Sequence, residues 1–595
     1  MNKLSAKVRF LVVISLLVFW IACAPGIYPV ANNDSIKKDV YYLASDKLEG
    51  RKAGEKGDLL AAQYIRERLK KSKLQLSGDK GFQSFDLVTS VELGDSNRLT
   101  VDGVRYEVNK DFLPYSFSSN SSFSGEVVFA GYGFDIQMDS LKWNDYNNLD
   151  TEGKWVILLK GDPEIDKSDS KFAPYSEERS KVLTATDHKA GGVLFVGGPV
   201  FTQNDQLQGL FFDKNSSSYS IPVLQITRKV ADALLLSSGY TIAKLEEKLN
   251  NSRIPGSFPV GGKIAGRADI VPHKVVSHNI IGILPGNDPV LKNEFVVIGG
   301  HYDHLGYGGP GSGSRAADTV AIHYGADDNA SGVATVMHLA DRFSKERNNR
   351  RSLVFVAFGA EEMGLIGSKT FIDKSPVDLK KVVAMFNFDM VGRLDDKTKS
   401  LSIGGTLTSK ESENLLSGFN PGFNLTFSGE GVGPSDHASF YMQNIPVFFY
   451  STGAHPDYHT PGDTPEKINY DGVSRISDYA AKVILEVANR DKNLTFQEAG
   501  SKSMRSRGGR FKVTLGIIPD YAGMEKRGMK VDGVSKGKPA EKAGILKGDI
   551  ITAIDGKTVG NIYDYMNRLK TFEVGQTISV DLIRNDQHIV LIVQL

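Results

Sequence analysis

Apolar positions along the chain follow three rhythms, each predicting a different architecture. Between residues 35 and 75, Leu59, Leu60, Ala62, Tyr64, Ile65 and Leu69 recur near the helical period, after Val40-Tyr41-Tyr42-Leu43 and a turn-like Glu49-Gly50-Arg51-Lys52-Ala53-Gly54. From 83 to 160 the runs shorten and alternate, as in Glu126-Val127-Val128-Phe129-Ala130 and Trp155-Val156-Ile157-Leu158-Leu159, which predicts strands. A helix over 181–196, broken by Gly191-Gly192, leads into a strand at Val193-Leu194-Phe195-Val196. From about 275, apolar strands alternate with helical segments, the pattern of an α/β fold with a mostly parallel or mixed central sheet flanked by helices. Its strands are predicted at Phe295–Ile298, Leu353–Phe358, Val382–Phe386 and Val447–Tyr450. A polar stretch, 491–510, then sets off a last compact segment, 511–595. The predicted division is 31–110 and 266–490 for one domain, 111–265 for an insertion, 491–510 for a linker and 511–595 for a C-terminal domain.

Composition changes this picture little. With 71 basic against 70 acidic residues the net charge is +1, so no global field draws the chain to nucleic acid. The basic run Lys502, Arg505, Arg507 and Arg510 reads as a solvated linker. The N-terminus matters more. Lys3, Lys7 and Arg9 precede the apolar stretch from Phe10 to Ala22, which ends at Cys23, the chain's single cysteine. That is the layout of an export signal, 1–22, and it excludes disulfides within the chain. The order Trp20-Ile21-Ala22-Cys23 resembles a bacterial lipoprotein signal, although those signals usually carry Leu where Trp20 stands. The expectation is lipidation at Cys23 and a cell-envelope location, with a secreted protein as the alternative if Cys23 is not lipidated. Nothing after Cys23 is long and apolar enough to cross a membrane, so a lipid would be the only membrane attachment.

The chemistry lies beyond the carboxyl ends of the predicted strands, where open α/β sheets bind ligands. His301-Tyr302-Asp303-His304 follows the first strand, Gly359-Ala360-Glu361-Glu362 the second, Asp389 the third, and a loop with Tyr458-His459-Thr460 the fourth. Gly325-Ala326-Asp327-Asp328-Asn329-Ala330-Ser331-Gly332 opens a helix with apolar Val333, Val336, Met337, Ala340 and Phe343. One such His or Asp is usually a cap or a loop hydrogen bond; five sites on one rim are not. Imidazole and carboxylate donors without thiolate suit zinc with an open coordination position, and carboxylate-rich sites can hold two ions bridged by one carboxylate.

These stretches together resemble the co-catalytic zinc aminopeptidases of peptidase clan MH, relatives of glutamate carboxypeptidase and of the transferrin receptor ectodomain. The resemblance implies the zinc exopeptidase fold, two Zn2+ per chain and hydrolysis of N-terminal peptide bonds by a hydroxide shared between the ions. It implies His301 and Asp389 on one zinc, Glu362 and His459 on the other, and Asp328 bridging, because the family's bridging carboxylate directly precedes an Asn. It further implies Asp303 fixing the His301 imidazole, Glu361 as general base, and Tyr458 stabilising the oxyanion, unless Tyr458 only packs. His437, in Ser435-Asp436-His437, either lines the substrate pocket or orients a loop, and Pro434 stands where some relatives hold substrate with Arg. His304 and His323 are expected to be loop histidines, and 306–313 a mobile active-site loop.

The insertion resembles a protease-associated domain through Val128-Phe129-Ala130-Gly131-Tyr132-Gly133, Gly153–Leu158 and Lys189–Leu194, which implies a cover for the active-site entrance or a passive spacer. Residues 511–595 resemble a bacterial-type PDZ domain, with Leu515, Gly516 and Ile517 in the loop that would receive the carboxylate of a peptide C-terminus. A closed, purely structural PDZ unit is the alternative. Glutaminyl cyclisation with one zinc, carboxypeptidase or dipeptidase activity, and a non-catalytic receptor-like binding protein remain open beside the aminopeptidase reading.

Overall fold

The computed structural model of the chain describes residues 33–595 apart from 139–140, 168, 213–217, 500–512, 520–524, 526 and 535–536. The signal segment 1–22, Cys23, and residues 500–510 of the linker lie outside the described residues.

Near-continuous apolar runs form the middle of the main sheet. Ser352–Phe358, Phe295–His301, Val382–Phe388 and Val447–Ser451 lie side by side in that order and in parallel. Ser352–Phe358 and Val382–Phe388 are buried at every position, as expected for strands covered on both faces. Antiparallel neighbours, Ile270–Leu284 on one side and Ser400–Gly404 on the other, make the sheet mixed. The helix Gly332–Glu346 buries the Val333, Val336, Met337, Ala340 and Phe343 stripe against one face. Tyr470–Asn489, Asp34–Leu43 and Lys56–Lys71 complete that layer. Phe358, Phe371, Met385 and Phe440 form the core on the other face.

Phe82–Leu93 and Ile270–Leu284 pair along their length and lead out of this sheet. Between them the chain builds a second sheet around Ser257–Arg267, Ser122–Ala130, Trp155–Leu159, Gly192–Val196 and Val223–Ile226. Arg98–Val101 joins it by antiparallel pairing with Ser257–Arg267, and Val104–Tyr106 pairs antiparallel with Arg98–Val101 at the edge, so the second sheet takes up chain ahead of residue 111. Asn97 and Asp269 clasp the two crossing strands: Asp269 N–H donates to Asn97 Oδ1 at 2.8 Å and Asn97 Nδ2 to Asp269 O at 2.7 Å.

A third sheet comprises Ile517–Pro519, Met529–Val534, Ile550–Ile554, Thr577–Arg584 and Gln587–Gln594, with Ile517–Pro519 at its edge. Its helix Ile562–Leu569 turns a polar stripe toward the inserted unit's helix Glu178–Asp187. Arg568 grips the Asp187 carboxylate through both terminal nitrogens, Tyr219 donates its hydroxyl to Asp564 Oδ1 at 3.1 Å, and Asn567 Nδ2 donates to Ser180 Oγ at 2.9 Å. Lys547 donates to Gln443 of the main domain. Among the described residues no helix is long and apolar enough to cross a membrane.

Trp155 fills the centre of the inserted unit with no exposed surface, and a Cβ on Gly192 or Gly266 would lie 2.5 or 2.7 Å from its indole. Trp155→Ala removes that filling and is expected to destabilise the inserted unit by about 3–5 kcal/mol. Differential scanning calorimetry checks this as a lowered transition for that unit.

Candidate metal centre

Each side chain of the site is carried by the end of a central strand or by the turn that opens a buried helix. His301 ends its strand; Glu361 and Glu362 follow Phe358 after two residues; Asp389 follows Phe388; Tyr458 and His459 stand in the loop after Ser451. Asp328 lies in the irregular turn Ala326–Ser331 at the head of Gly332–Glu346. Ala360, Met390 and His459 adopt left-handed backbone at φ 54, 58 and 56°. Non-glycine residues carry that strain at roughly 1 kcal/mol or more each, and here it turns the chain sharply beside three donors. Gly325 must be glycine for a second reason: at φ 56° its Cβ would stand 2.2 Å from the Asp328 carbonyl and 2.6 Å from the His304 ring.

The donors form two groups that share Asp328. On one side, His301 Nε2 lies 3.3 Å from Asp328 Oδ1 and 3.5 Å from Asp389 Oδ1. On the other, His459 Nε2 lies 3.0 Å from Asp328 Oδ2 and 3.2 Å from Glu362 Oε1. His301 Nδ1 faces the Asp303 carbonyl at 3.3 Å and His459 Nδ1 faces the Gly313 carbonyl at 3.1 Å. A carbonyl can only accept, so both Nδ1 atoms carry protons and both Nε2 atoms aim into the carboxylates. With neutral rings, lone pairs face lone pairs at these distances, an arrangement that requires a cation or extra protons between them. Asp389 Oδ1 is buried with no hydrogen-bond donor among the described residues. The donor set and its orientation thus fit divalent metal. His301, Asp328 and Asp389 would hold one ion, and Asp328 and Glu362 with an imidazole a second.

That second imidazole has two sources. His304, expected from the sequence to be a loop histidine, instead lies with Nδ1 3.2 Å from Glu362 Oε1 and 3.7 Å from Asp328 Oδ2. The correction has a plain cause. Residue 304 follows the strand end by three residues, and the chain there is pulled back by His304 N–H donating to the Arg51 carbonyl at 3.1 Å. His323 does serve the loop, with Nε2 2.7 Å from Ser314 Oγ and Nδ1 2.9 Å from the Ala321 carbonyl.

Glu361 stands beside this centre, its Oε2 3.9 Å from His301 Nε2. Burial lifts its carboxyl well above the ordinary range, with help from the charges of Glu362, Asp436 and Asp389 and against the pull of His301. Asp328 goes the other way. Burial alone would raise it, but the facing imidazoles of His301, His459 and His304, to the extent that they carry positive charge, hold it well below the usual carboxylate range. The Tyr458 ring stacks on His459 at 3.9 Å, and burial with the nearby carboxylates pushes its phenol up, so the hydroxyl stays a donor. Asp303 is placed somewhat differently from its expected role. Its carboxylate is 3.7 Å from His301 Nδ1 and accepts the N–H groups of Glu361 at 2.9 Å and Glu362 at 3.2 Å. It therefore fixes the backbone of the two glutamates, while its carbonyl takes the imidazole. His437 is buried, stacked on Phe449 at 4.4 Å and pushed down to about 3 by burial, so it packs a loop rather than lining a pocket. Leu515, Gly516 and Ile517 lie just at the edge strand of the third sheet, with Gly516 at φ 76° and its N–H taken by Thr514 Oγ at 3.0 Å.

Sequence reasoning missed the residues that hold the loops together. Arg51, fully buried, donates to the carbonyls of Tyr302 (2.8 Å), Leu43 (2.5 Å), Tyr324 (2.7 Å) and Gly325 (3.0 Å). It ties the turn at 49–54 to the His301 strand end and to the Asp328 turn, and burial lowers its guanidinium only to about 10, so it remains a cation. Asp463 accepts the N–H groups of Asp327 (2.8 Å) and Asp328 (3.1 Å) with one oxygen and the Arg393 guanidinium (2.9 Å) with the other. Arg393 also meets Asp457 at 3.3 Å. The Asp389, His459 and Asp328 loops are thereby knotted behind the donors. The only sequence signals were an Arg within a glycine-rich turn and an Asp four residues after His459.

Residues 279–484 match the model of peptidase family M28 and residues 513–595 that of the PDZ domain. The chain is 29% identical over 227 residues to aminopeptidase YwaD of Bacillus subtilis, covering 36% of this chain and 46% of that protein. It is 32% identical over 179 residues to leupeptin-inactivating enzyme 1 of Streptomyces exfoliatus, covering 30% and 36%. The chain spans about half the length of the curated relatives it matches. A solved structure of BSAP, a zinc aminopeptidase from Bacillus subtilis, aligns with 78% of this chain and 98% of its own at 20% identity and a TM-score of 0.45.

Removing the knot should loosen the donors without touching them. Asp463→Ala is expected to weaken divalent-metal affinity about 10- to 100-fold, the usual cost of losing a group that orients ligands. Lys467→Ala, at the exposed end of the same chain of ion pairs, should leave it unchanged. Titration of metal into chelator-stripped protein checks both.

Proposed function

Taking residues 279–484 as a peptidase family M28 domain and 513–595 as a PDZ domain, we propose that the chain is a zinc-dependent aminopeptidase with two metal ions per chain. The observation that carries this reading is the division of Asp328: its two oxygens face two separate donor groups, each completed by an imidazole and a second carboxylate. The names of the relatives, several of them aminopeptidases, support the polarity of the reaction. His301 and Asp389 serve one ion, Glu362 and His459 the other, with Asp328 between them and His304 at hand beside the second.

When bound, divalent zinc lowers the pKa of water it coordinates and polarises the carbonyl under attack. The chain's residues do the rest. Glu361, standing beside the donors with its Oε2 3.9 Å from His301 Nε2, takes a proton from the attacking water and returns it to the departing amine. Tyr458 keeps its proton and donates a hydrogen bond to the developing oxyanion. Asp303 holds Glu361 and Glu362 in register, so base and ligand cannot exchange places. The inserted unit bounds the entrance. The PDZ unit receives a peptide C-terminus beside Leu515, Gly516 and Ile517, tethering substrate or partner. The N-terminal pattern ending at Cys23 supports export and lipid attachment at the bacterial cell envelope.

Two substitutions separate the roles. Glu361→Gln is expected to keep zinc and lose about 10²- to 10⁴-fold in kcat, whereas Asp328→Ala should lose metal and activity together. Zinc content by atomic absorption, paired with leucinamide hydrolysis with and without chelator, decides it. Full activity of Glu361→Gln would remove Glu361 as the base, and one tightly held ion per chain would remove the two-metal reading.

A further inference from the structure

Among the described residues, the inserted unit meets the glycine-rich loop beside the metal centre through Phe211. Its stretch 197–208 is stapled down: Arg228 donates to the carbonyls of Gly197 (3.1 Å), Thr202 (2.9 Å) and Gln203 (3.1 Å). Gln208 N–H donates to Gln225 Oε1 at 2.9 Å, and Gln225 Nε2 returns a bond to the Gln208 carbonyl at 2.5 Å. Three residues beyond this anchor, Phe211 projects with 61% of its surface exposed. Its ring sits 3.2 Å from where a Cβ on Gly311 would be, so it lies on the glycine-rich loop of the main domain. Two residues on, the Gly313 carbonyl meets His459 Nδ1 at 3.1 Å. The same loop carries Tyr307, 44% exposed, and is bridged through Gly308 to Val320, 74% exposed. Three large apolar side chains, one from the inserted unit and two from the main domain, thus stand in water around the loop that backs a metal-facing imidazole.

Their position relative to the scissile bond follows from burial. The His301 side chain is 1% exposed and that of Asp328 4%, whereas Asp389 and Glu362 are each 12% and His459 13% exposed, so the open face of the site includes its His459 edge. In an aminopeptidase the first residue occupies the closed end and the rest of the peptide leaves through the mouth. We propose that Phe211, with Tyr307 and Val320, forms an apolar rim that binds the side chain of the residue following the scissile bond, selecting peptides whose second residue is large and apolar. This rests on the aminopeptidase reading. The glycines at 308, 309, 311 and 313, all at positive φ, keep the loop thin enough for an aromatic ring from the inserted unit to reach across it. A peptide's apolar side chain is the occupant that fits, because it would cover these surfaces only while bound.

The experiment uses the full-length zinc-loaded protein and three substrates. Leucinamide has no residue beyond the scissile bond, Leu-Gly-Gly has none with a side chain, and Leu-Phe-Gly has a large apolar one. Phe211→Ala is expected to raise KM for Leu-Phe-Gly about five- to tenfold while leaving leucinamide and Leu-Gly-Gly within twofold of wild type. Val320→Ser, on the main domain, should move the same ratio in the same direction, and Phe211→Trp should retain the preference. An unchanged ratio of Leu-Phe-Gly to Leu-Gly-Gly in both Phe211→Ala and Val320→Ser, with wild type active, overturns this inference alone. An equal loss on all three substrates overturns it too, by assigning Phe211 a general structural role. A zinc-loaded wild-type protein that cleaves none of the three overturns the aminopeptidase reading and this inference together.

Discussion

Carboxylates packed together out of water repel one another, and the architecture around the site answers that repulsion. Asp328, Glu361, Glu362 and Asp389 meet at the carboxyl edge of the sheet, with Asp303, Asp327, Asp436 and Asp463 buried just behind. Ionised carboxyl groups in a low-dielectric setting are sustained only by opposite charge or by hydrogen bonds that favour the anion. The chain supplies both in layers. Asp303 and Asp463 take backbone N–H groups, Arg393 pairs with Asp463, and Arg51 spreads a buried positive charge over four carbonyls a short way from the cluster. What these layers leave uncompensated is the centre itself, where imidazole Nε2 atoms and carboxylate oxygens confront one another. That residual demand for positive charge is the site's capacity to bind metal.

The supporting layer also explains why the donors sit on loops yet keep a defined geometry. Loops carry function because a rigid frame can present varied side chains at one place, but presentation needs bracing. Here the bracing is reciprocal. Asn329, next to Asp328, donates to the Phe388 carbonyl at 2.9 Å, directly before Asp389, and accepts from Gly332 N–H at 3.0 Å. Asp327, on its other side, accepts from Gly392 N–H at 2.6 Å and lies 3.1 Å from His455 Nε2. The Asp328 carboxylate is therefore flanked by two residues that fasten the loops carrying Asp389 and His459. The acidic doublet Asp327-Asp328 divides into one carboxylate facing the imidazoles and one brace.

How far this was legible from sequence depends on whether a residue's partner was near in the chain. The main-sheet strands at 295–301, 352–358, 382–388 and 447–451 were readable because burial on both faces forces unbroken apolar runs. The helix over 332–346 was readable from its 3.6-residue stripe. The stretches that hold His301, Asp328, Glu362, Asp389 and His459 could be located because they follow strand ends or open a helix, and the family resemblance then picked out these five within them. Arg51 and Arg393 could not. Their partners are carbonyls and carboxylates up to 274 residues away, and a backbone carbonyl leaves no trace in composition. His304 was misjudged for a related reason. Its place three residues after the strand end is typical of a loop, and only the backbone bond to the Arg51 turn brings its ring back to Glu362. The strands at 98–106 were likewise hard to assign, because short exposed strands acquire a sheet only through a partner about 160 residues downstream.

The seam between the third sheet and the inserted unit raises a question of energy versus orientation. Arg568 and Asp187 form a paired, largely buried contact at the middle of two packed helices, flanked by Asp564 with Tyr219 and by Asn567 with Ser180. Burying an ion pair costs desolvation that its attraction only roughly repays, so this contact is a poor source of net stability. Its geometry is demanding, however: a planar guanidinium gripping a carboxylate through both terminal nitrogens fixes rotation as well as distance. An apolar helix–helix contact of similar size would hold the units as firmly but tolerate sliding by a turn. The polar stripe at 564, 567 and 568 accordingly specifies one orientation. In that orientation the edge strand Ile517–Pro519, beside the Leu515-Gly516-Ile517 loop, is presented on a body fixed to the inserted unit rather than on a swinging tether.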